Sequence, residues 1–498
     1  MKRECGMLLP ISSLPSRYGI GAFSKEAFEF IDTLKEAGQQ YWQILPLGPT
    51  GYGDSPYQSF SAFAGNPYFI DLDTLCEEGF LTCEECREAD FGSDPREIDY
   101  QKLYNNRFPL LRLAYGRWLA AVGEEEAERL AHAKLRPETR EYCFYMAVKG
   151  HFGGVSWEQW EEDIRQRSEE ALARYEEELS EEIGFYQFLQ IKFQEQWCRL
   201  KEYAHSQGIR IIGDMPIYVA LDSADSWCHP ELFQFDEGRR PTAVAGCPPD
   251  GFSATGQLWG NPLYRWEYHR DTGYEWWMRR MEYSFELYDV VRVDHFRGFD
   301  EYYSIPYGSP TAQGGQWRKG PGIDIFTKMT ERFGQSLPII AEDLGFVTST
   351  VEKLLWDTGF PGMKVLQFAF DSREAGNYLP HNYPNNCVVY TGTHDNNTIR
   401  GWYEQIAAED KAFAVDYMDN ADTPPQEVHW DFIRMALGSV ARLAVIPVQD
   451  YLGLGCEARV NEPSTIGKNW RWRLVPGQLD RETIQKCRHL AWLYGRFR

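Results

Sequence analysis

Short runs of apolar residues recur along the chain, and several of them end at a glycine, a proline or a charged residue. Such continuous runs are typical of strands that are buried on both faces of a parallel sheet. We therefore predict eight strands, at Met7–Ile11, Tyr41–Leu47, Ile209–Gly213, Val290–Val293, Pro338–Ala341, Lys364–Phe370, Cys387–Thr391 and Leu443–Val448.

Amphipathic stretches lie between some of these runs. Lys25–Ala37 carries apolar residues at helical spacing and stops at Gly38, and Phe185–His205 stops in a similar way before Gly208. A glycine just past the last periodic residue is a common signal for the end of a helix. The alternation of eight strands with helices predicts an α/β fold of the (β/α)8, or TIM, barrel type. A doubly wound open sheet is the alternative that the pattern leaves open.

Two gaps between predicted strands are too long for a single crossover. Roughly residues 70–185 contain charge-rich helical segments, which predicts a mostly helical insertion between strands 2 and 3. Roughly residues 215–289 form a second insertion, whose first part is rich in glycine and proline and is interpreted as a loop. Few residues follow the last predicted strand, so we expect one barrel over residues 1–498 without a carboxy-terminal β-sandwich.

The composition excludes several classes of protein. Of the 498 residues 43% are apolar, which is enough for a large core. Lys and Arg total 51 against 74 Asp and Glu, and the net charge of −23 argues against nucleic acid or an anionic membrane as a partner. The 11 cysteines are thinly spread, and no stretch resembles a secretory signal or a membrane span. We therefore expect a cytoplasmic protein with reduced thiols.

Candidate chemistry appears where the fourth predicted strand ends. Arg292 and Asp294 point to the same face because strand side chains alternate, and active sites of barrels form at the carboxyl ends of strands. A nearby guanidinium is expected to lower the pKa of Asp294 and keep it ionised, as a nucleophilic carboxylate requires. The alternative is that Asp294 caps the next element and that Arg292 forms a buried structural pair.

Two more predicted strands are followed by carboxylates. Glu342 comes after the fifth strand, where partial desolvation beside an ionised carboxylate would raise its pKa and let it donate a proton. The alternative for Glu342 is a helix N-cap. His394 and Asp395 follow the seventh strand. Three strand ends that each bear a carboxylate indicate glycoside chemistry, in which paired carboxylates flank the bond and negative charge stabilises a positive transition state.

With these blocks the chain resembles the 4-alpha-glucanotransferases known as amylomaltases or disproportionating enzymes, within the alpha-amylase superfamily. The other matching segments are Leu9–Pro15, Trp42–Thr50, Ser55–Ala62, Gly213–Ala220, Pro248–Asp250, Trp259–Pro262 and Asn469–Arg473. The resemblance covers nearly the whole chain. It implies transfer of α-1,4-glucan segments between maltooligosaccharides by a monomer or homodimer that needs no cofactor and no metal.

The resemblance also implies roles for the three carboxylates. Asp294 resembles the nucleophile that forms a covalent glucosyl-enzyme, Glu342 the general acid/base, and Asp395 the carboxylate that stabilises the transition state. Such a mechanism retains the anomeric configuration, so the carboxyl groups of Asp294 and Glu342 should lie about 5–5.5 Å apart.

Further positions resemble the family's sugar-contacting residues. Tyr57 resembles the aromatic platform under the ring whose bond is cleaved, and Arg292 and His394 look like partners at the same subsite. The remaining candidates are Asp214, Asp250, Phe252, Gln257, Trp259, Asp371 and Asn461. These residue types suit a sugar, because aromatic planes bury its apolar C–H faces and polar groups bond its edges.

The choice between transfer and hydrolysis depends on the acceptor. A transferase must exclude water and bind a sugar hydroxyl, and the segment Gly246–Asn261, which resembles the family's active-site loop with Phe252 near its tip, is the candidate for this task. The alternatives are an α-1,4-glucan hydrolase of the same superfamily and a non-catalytic glucan-binding protein. A barrel enzyme for phosphorylated metabolites would need a glycine-rich phosphate loop after the late strands, and none is seen.

One cysteine pair has the spacing of a metal site. Cys83 and Cys86 form a CxxC pattern with Cys76 nearby, but no second pair follows at a suitable distance. We therefore predict no metal here.

Overall fold

Eight parallel strands form one sheet in the computed structural model, which describes residues 3–51, 53–249, 254–345, 347–371, 376 and 378–497. Four further strands form a separate antiparallel sheet. In chain order the strands are β1 (Glu4–Leu8), β2 (Tyr41–Gln43), β3 (Arg210–Met215), β4 (Ala243–Cys247), β5 (Gln257–Pro262), β6 (Val290–Val293), β7 (Glu301–Pro306), β8 (Gln316–Lys319), β9 (Ile339–Ala341), β10 (Gly362–Val365), β11 (Cys387–Tyr390) and β12 (Leu443–Pro447).

The large sheet curls into a barrel. Its order is β10-β11-β12-β1-β2-β3-β6-β9, so neighbours follow chain order without the reversal of a doubly wound sheet. The two ends meet, because the Ala341 N–H donates to the Pro361 carbonyl at 3.0 Å and the Met363 N–H donates to the Asp343 carboxylate at 2.6 Å. Each of the eight predicted strands overlaps one barrel strand. The (β/α)8 barrel is confirmed, and the open sheet is wrong.

Helices surround the barrel and occupy the long gaps. Within the described residues the α-helices are α1 (Lys25–Glu36), α2 (Leu72–Glu77), α3 (Cys83–Glu88), α4 (Tyr100–Val122), α5 (Glu124–Lys134), α6 (Pro137–His151), α7 (Glu162–Arg165), α8 (Glu169–Glu178), α9 (Ser180–Ser206), α10 (Ala224–Cys228), α11 (Trp266–Asp271), α12 (Glu275–Leu287), α13 (Ile323–Phe333), α14 (Ser349–Thr358), α15 (Ile399–Gln405), α16 (Ala408–Met418), α17 (Val428–Gly438), α18 (Val448–Tyr451) and α19 (Arg481–Leu493). Short 3-10 turns lie between several of them. Helices α2 to α9 come between β2 and β3 in the chain.

The ends of α1 and α9 follow from their sequences. Gly38 and Gly208 lie just past the two helices with φ of +73° and +77°, a left-handed conformation that glycine adopts without a Cβ penalty. Helix α1 buries an apolar stripe against the barrel, where Phe30 meets Trp42 with ring centroids 5.1 Å apart.

The helical region also holds the segment that follows β2. Gln190 on α9 exchanges two hydrogen bonds with the backbone of Gly65, at 2.7 and 2.9 Å. Arg107 on α4 is fully buried and donates to the carbonyls of Ile70 and Tyr18. Helices α4 and α9 therefore hold the backbone at Gly65 and Ile70, a few residues after Tyr57 in the chain.

The antiparallel sheet, in the order β5-β4-β7-β8, differs from the sequence interpretation. The sequence predicts a loop over 246–261, but the beginning of this segment belongs to β4 and its end to β5, with a register shift between Val244 and Gly246. The reason is tertiary, because β4 also pairs with β7 from a distant part of the chain. Residues 250–253 at the centre of the segment lie outside the described residues.

Beyond β12, residues 448–497 contain α18, α19 and a short 3-10 turn but no strand of either sheet, so this described region forms no β-sandwich. In the described part of the chain, no helix combines the length and the apolar character needed to cross a membrane.

Candidate active site

The three candidate carboxylates lie at the carboxyl ends of barrel strands. Asp294 directly follows β6, and its N–H donates to the Met215 carbonyl of β3 at 3.0 Å. Glu342 directly follows β9, and its N–H donates to the Val293 carbonyl of β6 at 3.0 Å. Asp395 lies in a turn after β11. The sheet ladder thus continues into the site and holds the backbones of Asp294 and Glu342 on neighbouring strand ends.

A buried guanidinium connects two carboxylates. Nη1 of Arg292 donates to both carboxylate oxygens of Asp214, at 2.8 and 2.7 Å, and to Oδ1 of Asp294 at 3.0 Å. Arg292 and Asp214 are each 2% exposed, whereas the Asp294 side chain keeps 27% of its surface. Arg292 is therefore both a buried structural partner of Asp214 and the cationic neighbour of an accessible carboxylate. The 3-10 turn after Asp294 begins without a side-chain cap, so the capping alternative is wrong.

The pKa of Asp294 is raised, whereas the sequence predicts a lowered one. Burial raises it to about 6, although Arg292 acts in the opposite direction. The carboxylates of Asp214 and Asp395 also raise it, because each adds negative charge nearby. The sequence pattern showed the guanidinium but not the desolvation, which is the larger effect.

Glu342 is held by backbone donors. Its Oε2 accepts from the N–H of His295 at 2.8 Å and its Oε1 from the N–H of Leu344 at 2.7 Å. Burial raises the pKa of Glu342 to about 7, and the nearby Asp294 adds to this shift. The following helix, α14, is capped by Thr348 instead. Glu342 is therefore no helix cap, and it keeps a proton to higher pH than Asp294.

Asp395 has the opposite electrostatic character. Burial disfavours its charge, but contacts with His394 and Asn461 outweigh burial and hold the pKa of Asp395 far below its usual range. Its Oδ2 lies 3.2 Å from Nε2 of His394, and its Oδ1 accepts from the Asn461 side chain at 2.6 Å. The Asn461 N–H also donates to the His394 carbonyl at 3.1 Å. Asp395 thus stays ionised at neutral pH.

Aromatic rings lie beside this carboxylate. Tyr57 stacks on the imidazole of His394 and donates from its hydroxyl to Oδ2 of Asp214 at 2.8 Å. The ring of Trp470 is 5.8 Å from that of Tyr57 and 6.1 Å from that of His394. Flat apolar surface and ionised groups therefore occur together, as a sugar site requires.

The strand β5 brings two more predicted residues to this end of the barrel. Nε1 of Trp259 donates to Oε1 of Gln257 at 3.0 Å, and the ring of Trp259 meets that of His295 edge-on at 4.9 Å. Asp371 is half-buried and follows β10 beyond the 3-10 turn Leu366–Phe368. The two remaining candidates, Asp250 and Phe252, lie outside the described residues.

Three neighbours of these groups were missed as site residues. His295 bonds Glu342 through its backbone, Trp470 stands against Tyr57, and Nη2 of Arg459 donates to the Asp395 carbonyl at 2.8 Å. Trp470 stands in one of the segments that carry the family resemblance, and His295 directly follows Asp294, so both had a local signal. Arg459 had none.

Within the described residues, no group of three or more His, Cys, Asp or Glu side chains is arranged to hold a metal, and this includes the region of the CxxC pattern. Cys76 and Cys86 lie with their Sγ atoms 3.7 Å apart, and Cys83 is exposed.

Comparison with known proteins agrees with this geometry. A family described as 4-alpha-glucanotransferase matches residues 9–478. The 4-alpha-glucanotransferase of Clostridium butyricum is 48% identical over 488 residues, covering 98% of this chain and 99% of the relative. That of Thermus thermophilus is 49% identical over 498 residues, covering 99% and 98%.

A solved structure leads to the same family. The amylomaltase of Streptococcus agalactiae in complex with acarbose superposes with a TM-score of 0.96 and 42% identity, and each chain is covered completely. The class defined by fold and site is thus a carbohydrate-active barrel enzyme. The chain belongs to the 4-alpha-glucanotransferase family, and its activity is that of a 4-alpha-glucanotransferase.

Proposed function

We propose that this chain moves α-1,4-glucan segments between maltooligosaccharides by a retaining double displacement. The observation that carries the proposal is the pairing of two carboxyl groups of different acidity: Asp294 beside Arg292, and Glu342 with the higher pKa. Around neutral pH Asp294 is largely ionised, while a substantial fraction of Glu342 is protonated. This is the combination that a nucleophile and a general acid need.

In the first half-reaction Oδ of Asp294 attacks the anomeric carbon of the donor. The bond from that carbon to the leaving 4-oxygen breaks, and Glu342 gives its proton to the oxygen. The donor segment stays covalently attached to Asp294, and the shortened sugar departs with a free 4-hydroxyl group. Glu342 is left ionised, and the N–H groups of His295 and Leu344 stabilise that charge.

In the second half-reaction the 4-hydroxyl of an acceptor sugar replaces the leaving group. Glu342 takes its proton, the oxygen attacks the anomeric carbon, and the bond to Asp294 breaks. Two inversions at one carbon retain the anomeric configuration. The ionised Asp395 stabilises the positive charge that develops on the sugar ring in both steps.

The surrounding residues suit substrate binding. Tyr57 provides the platform for the ring at the cleavage point, with His394 and Asn461 orienting Asp395. The carboxylate of Asp214 is fully buried and bonded to Arg292 and Tyr57, which favours a role in orienting both of them. Direct sugar contacts remain proposed for Asp250, Phe252, Gln257, Trp259 and Asp371.

The test is to incubate the protein with maltotriose and to resolve the products by chain length, beside an Asp294→Asn variant. Transfer gives glucose together with a ladder of longer maltooligosaccharides, and the variant gives neither. Glucose and maltose without longer products would instead identify a hydrolase. Maltooligosaccharide binding without turnover in either protein would favour a non-catalytic binder.

A further inference from the structure

His295 has an unusual backbone for a residue with a side chain. It stands between Asp294 and the 3-10 turn Phe296–Phe299 with φ 49° and ψ 49°, in the left-handed region. That region is disfavoured for residues other than glycine because Cβ approaches the following carbonyl oxygen. Such conformations persist only where the surroundings impose them, and they cluster at functional sites.

The conformation presents consecutive backbone donors to one partner. The N–H of His295 donates to Oε2 of Glu342 at 2.8 Å, and the N–H of Phe296 donates to the backbone carbonyl of Glu342 at 3.1 Å. One donor thus holds the side chain and the next holds the main chain. A chain that left the left-handed region at His295 would redirect the peptide groups on both sides of this residue.

The side chain of His295 is fixed from two sides. The edge of its ring meets Trp259 of β5 at 4.9 Å and 90°. The backbone of Gly298 lies so close that a Cβ there would be 3.2 Å from Cδ2 of His295. Burial lowers the pKa of the imidazole to about 4. The ring is therefore neutral at pH 7 and adds no charge to the acid/base site.

We propose that His295 is a positioning residue for the acid/base group: its left-handed backbone, braced by Trp259 and Gly298, holds its N–H against the Glu342 carboxylate. The inference deepens the proposed function and rests on it, because it matters only if Glu342 is the acid/base. No chemical step is assigned to the imidazole itself.

The groups around Glu342 determine the direction in which its pKa changes when the bond from the His295 N–H is lost. Arg292 lowers its pKa, Asp294 raises it, and the N–H groups of His295 and Leu344 lower it. Tyr378 and Asp343 also lie close by. Loss of the His295 bond removes a group that favours the carboxylate, so the pKa of Glu342 rises further. The alkaline limb of the kcat/KM profile then moves to higher pH, because Glu342 stays protonated for longer.

The experiment replaces His295 with residues that differ in tolerance of the left-handed region. His295→Asn and His295→Gly accept it, His295→Ala accepts it poorly, and the β-branched His295→Val disfavours it most. All four lack the imidazole. We expect the Asn and Gly variants to keep the alkaline limb of wild type, and the Val variant to move it up by about one pH unit with a lower kcat.

The readouts are transfer from maltotriose between pH 5 and 9 and the thermal unfolding midpoint of each variant. If the alkaline limb moves equally in all four variants, the imidazole and not the backbone conformation controls Glu342, and the inference is overturned. If the limb moves in none of them, His295 does not position Glu342 at all. If His295→Val fails to fold, the comparison of His295→Ala with His295→Gly takes its place. The variant Glu342→Gln tests the proposed function separately from the role of His295. If Glu342→Gln stays active, Glu342 is not the acid/base and the proposed function is contradicted. If it is inactive, the His295 variants decide whether His295 positions Glu342.

Discussion

The ring of Tyr57 lies nearly parallel to the imidazole of His394, with centroids 5.1 Å apart and planes inclined by 14°. The hydroxyl of Tyr57 is bonded at 2.8 Å to Asp214, which Arg292 holds in turn. The proposed sugar platform and the proposed nucleophile therefore share one buried ion pair. A change in that pair is expected to disturb both.

Two substitutions of Tyr57 measure separately the contribution of its ring and that of its hydroxyl bond to Asp214. Tyr57→Ala removes both, and we expect kcat/KM for maltotriose to fall by about 100-fold, since an aromatic contact and a hydrogen bond together contribute roughly 2–3 kcal/mol. Tyr57→Phe removes only the bond and should cost about 1 kcal/mol, or fivefold. Initial rates of glucose release measure both. Equal losses in the two variants would contradict the role of the ring.

An activated donor distinguishes the two catalytic carboxyl groups. With maltotriose, Glu342→Gln should lose about 10²–10⁴-fold in rate, because the leaving oxygen is no longer protonated. With maltotriosyl fluoride, whose leaving group needs little protonation, this variant should still release fluoride in a burst. Asp294→Asn should release none. A fluoride burst from Asp294→Asn would contradict the assignment of Asp294 as the nucleophile. The absence of a burst from Glu342→Gln would contradict the assignment of Glu342 as the general acid.

Arg292 is expected to control the acid limb of activity. In free enzyme Asp294 must be ionised, so kcat/KM falls as pH drops below about 6. Arg292→Met removes the cation, raises the pKa of Asp294 and moves that limb to higher pH. It should also destabilise the fold by about 3–5 kcal/mol, since Asp214 stays buried without its partner. Arg292→Lys is the matched control that keeps the charge.

The measurements for Arg292 are a pH–rate profile and chemical unfolding of the three proteins. We expect the acid limb of Arg292→Lys to lie between those of wild type and Arg292→Met. An acid limb that stays in place in Arg292→Met would show that Arg292 does not tune Asp294.

Asp450 offers a stability test away from the reacting groups. It is 1% exposed, accepts from Thr391 and from the Ile399 N–H, and burial raises its pKa to about 6. Between about pH 4 and pH 6, Asp450 therefore carries a proton in the folded state but has lost it in the unfolded state, where the pKa of Asp is near 3.9. Stability is therefore highest below about pH 4 as far as this group is concerned, and it falls as pH rises towards 6.

Asp450→Asn removes this dependence. We expect the variant to be more stable than wild type at pH 8 by roughly 3 kcal/mol, and the difference to shrink towards pH 4.5. Urea unfolding at pH 8 and pH 4.5 measures this difference in stability. The exposed Asp324→Asn is the control, and we expect it to change the stability at either pH by less than about 0.5 kcal/mol. A destabilised Asp450→Asn at pH 8 would mean that the hydrogen bonds of the carboxylate outweigh its desolvation.

The barrel could be predicted because each strand carries its own signal. Runs such as Val290–Val293 and Cys387–Tyr390 are apolar at every or nearly every position, as strands between two layers must be. Parallel strands bring their carboxyl ends to one rim, so the sequence alone places Asp294, Glu342 and Asp395 at a common site.

The antiparallel sheet and the chemistry of the rim could not be predicted in this way. Strands β4 and β5 are short and glycine-containing, and β4 is held by β7 from a distant part of the chain, which no local pattern reports. The pKa of Asp294 rises because of burial, and burial is a property of everything packed around it. The same holds for the left-handed turn at His295.

What the sequence determined by itself is the order of the strands and the residue type at each strand end, because hydrophobic periodicity and strand direction are local properties of the chain. Tertiary structure alone decided which side chains meet, such as Tyr57 with His394, and how strongly each carboxylate holds its proton. Distances between remote segments and exclusion of water arise only when the whole barrel is assembled.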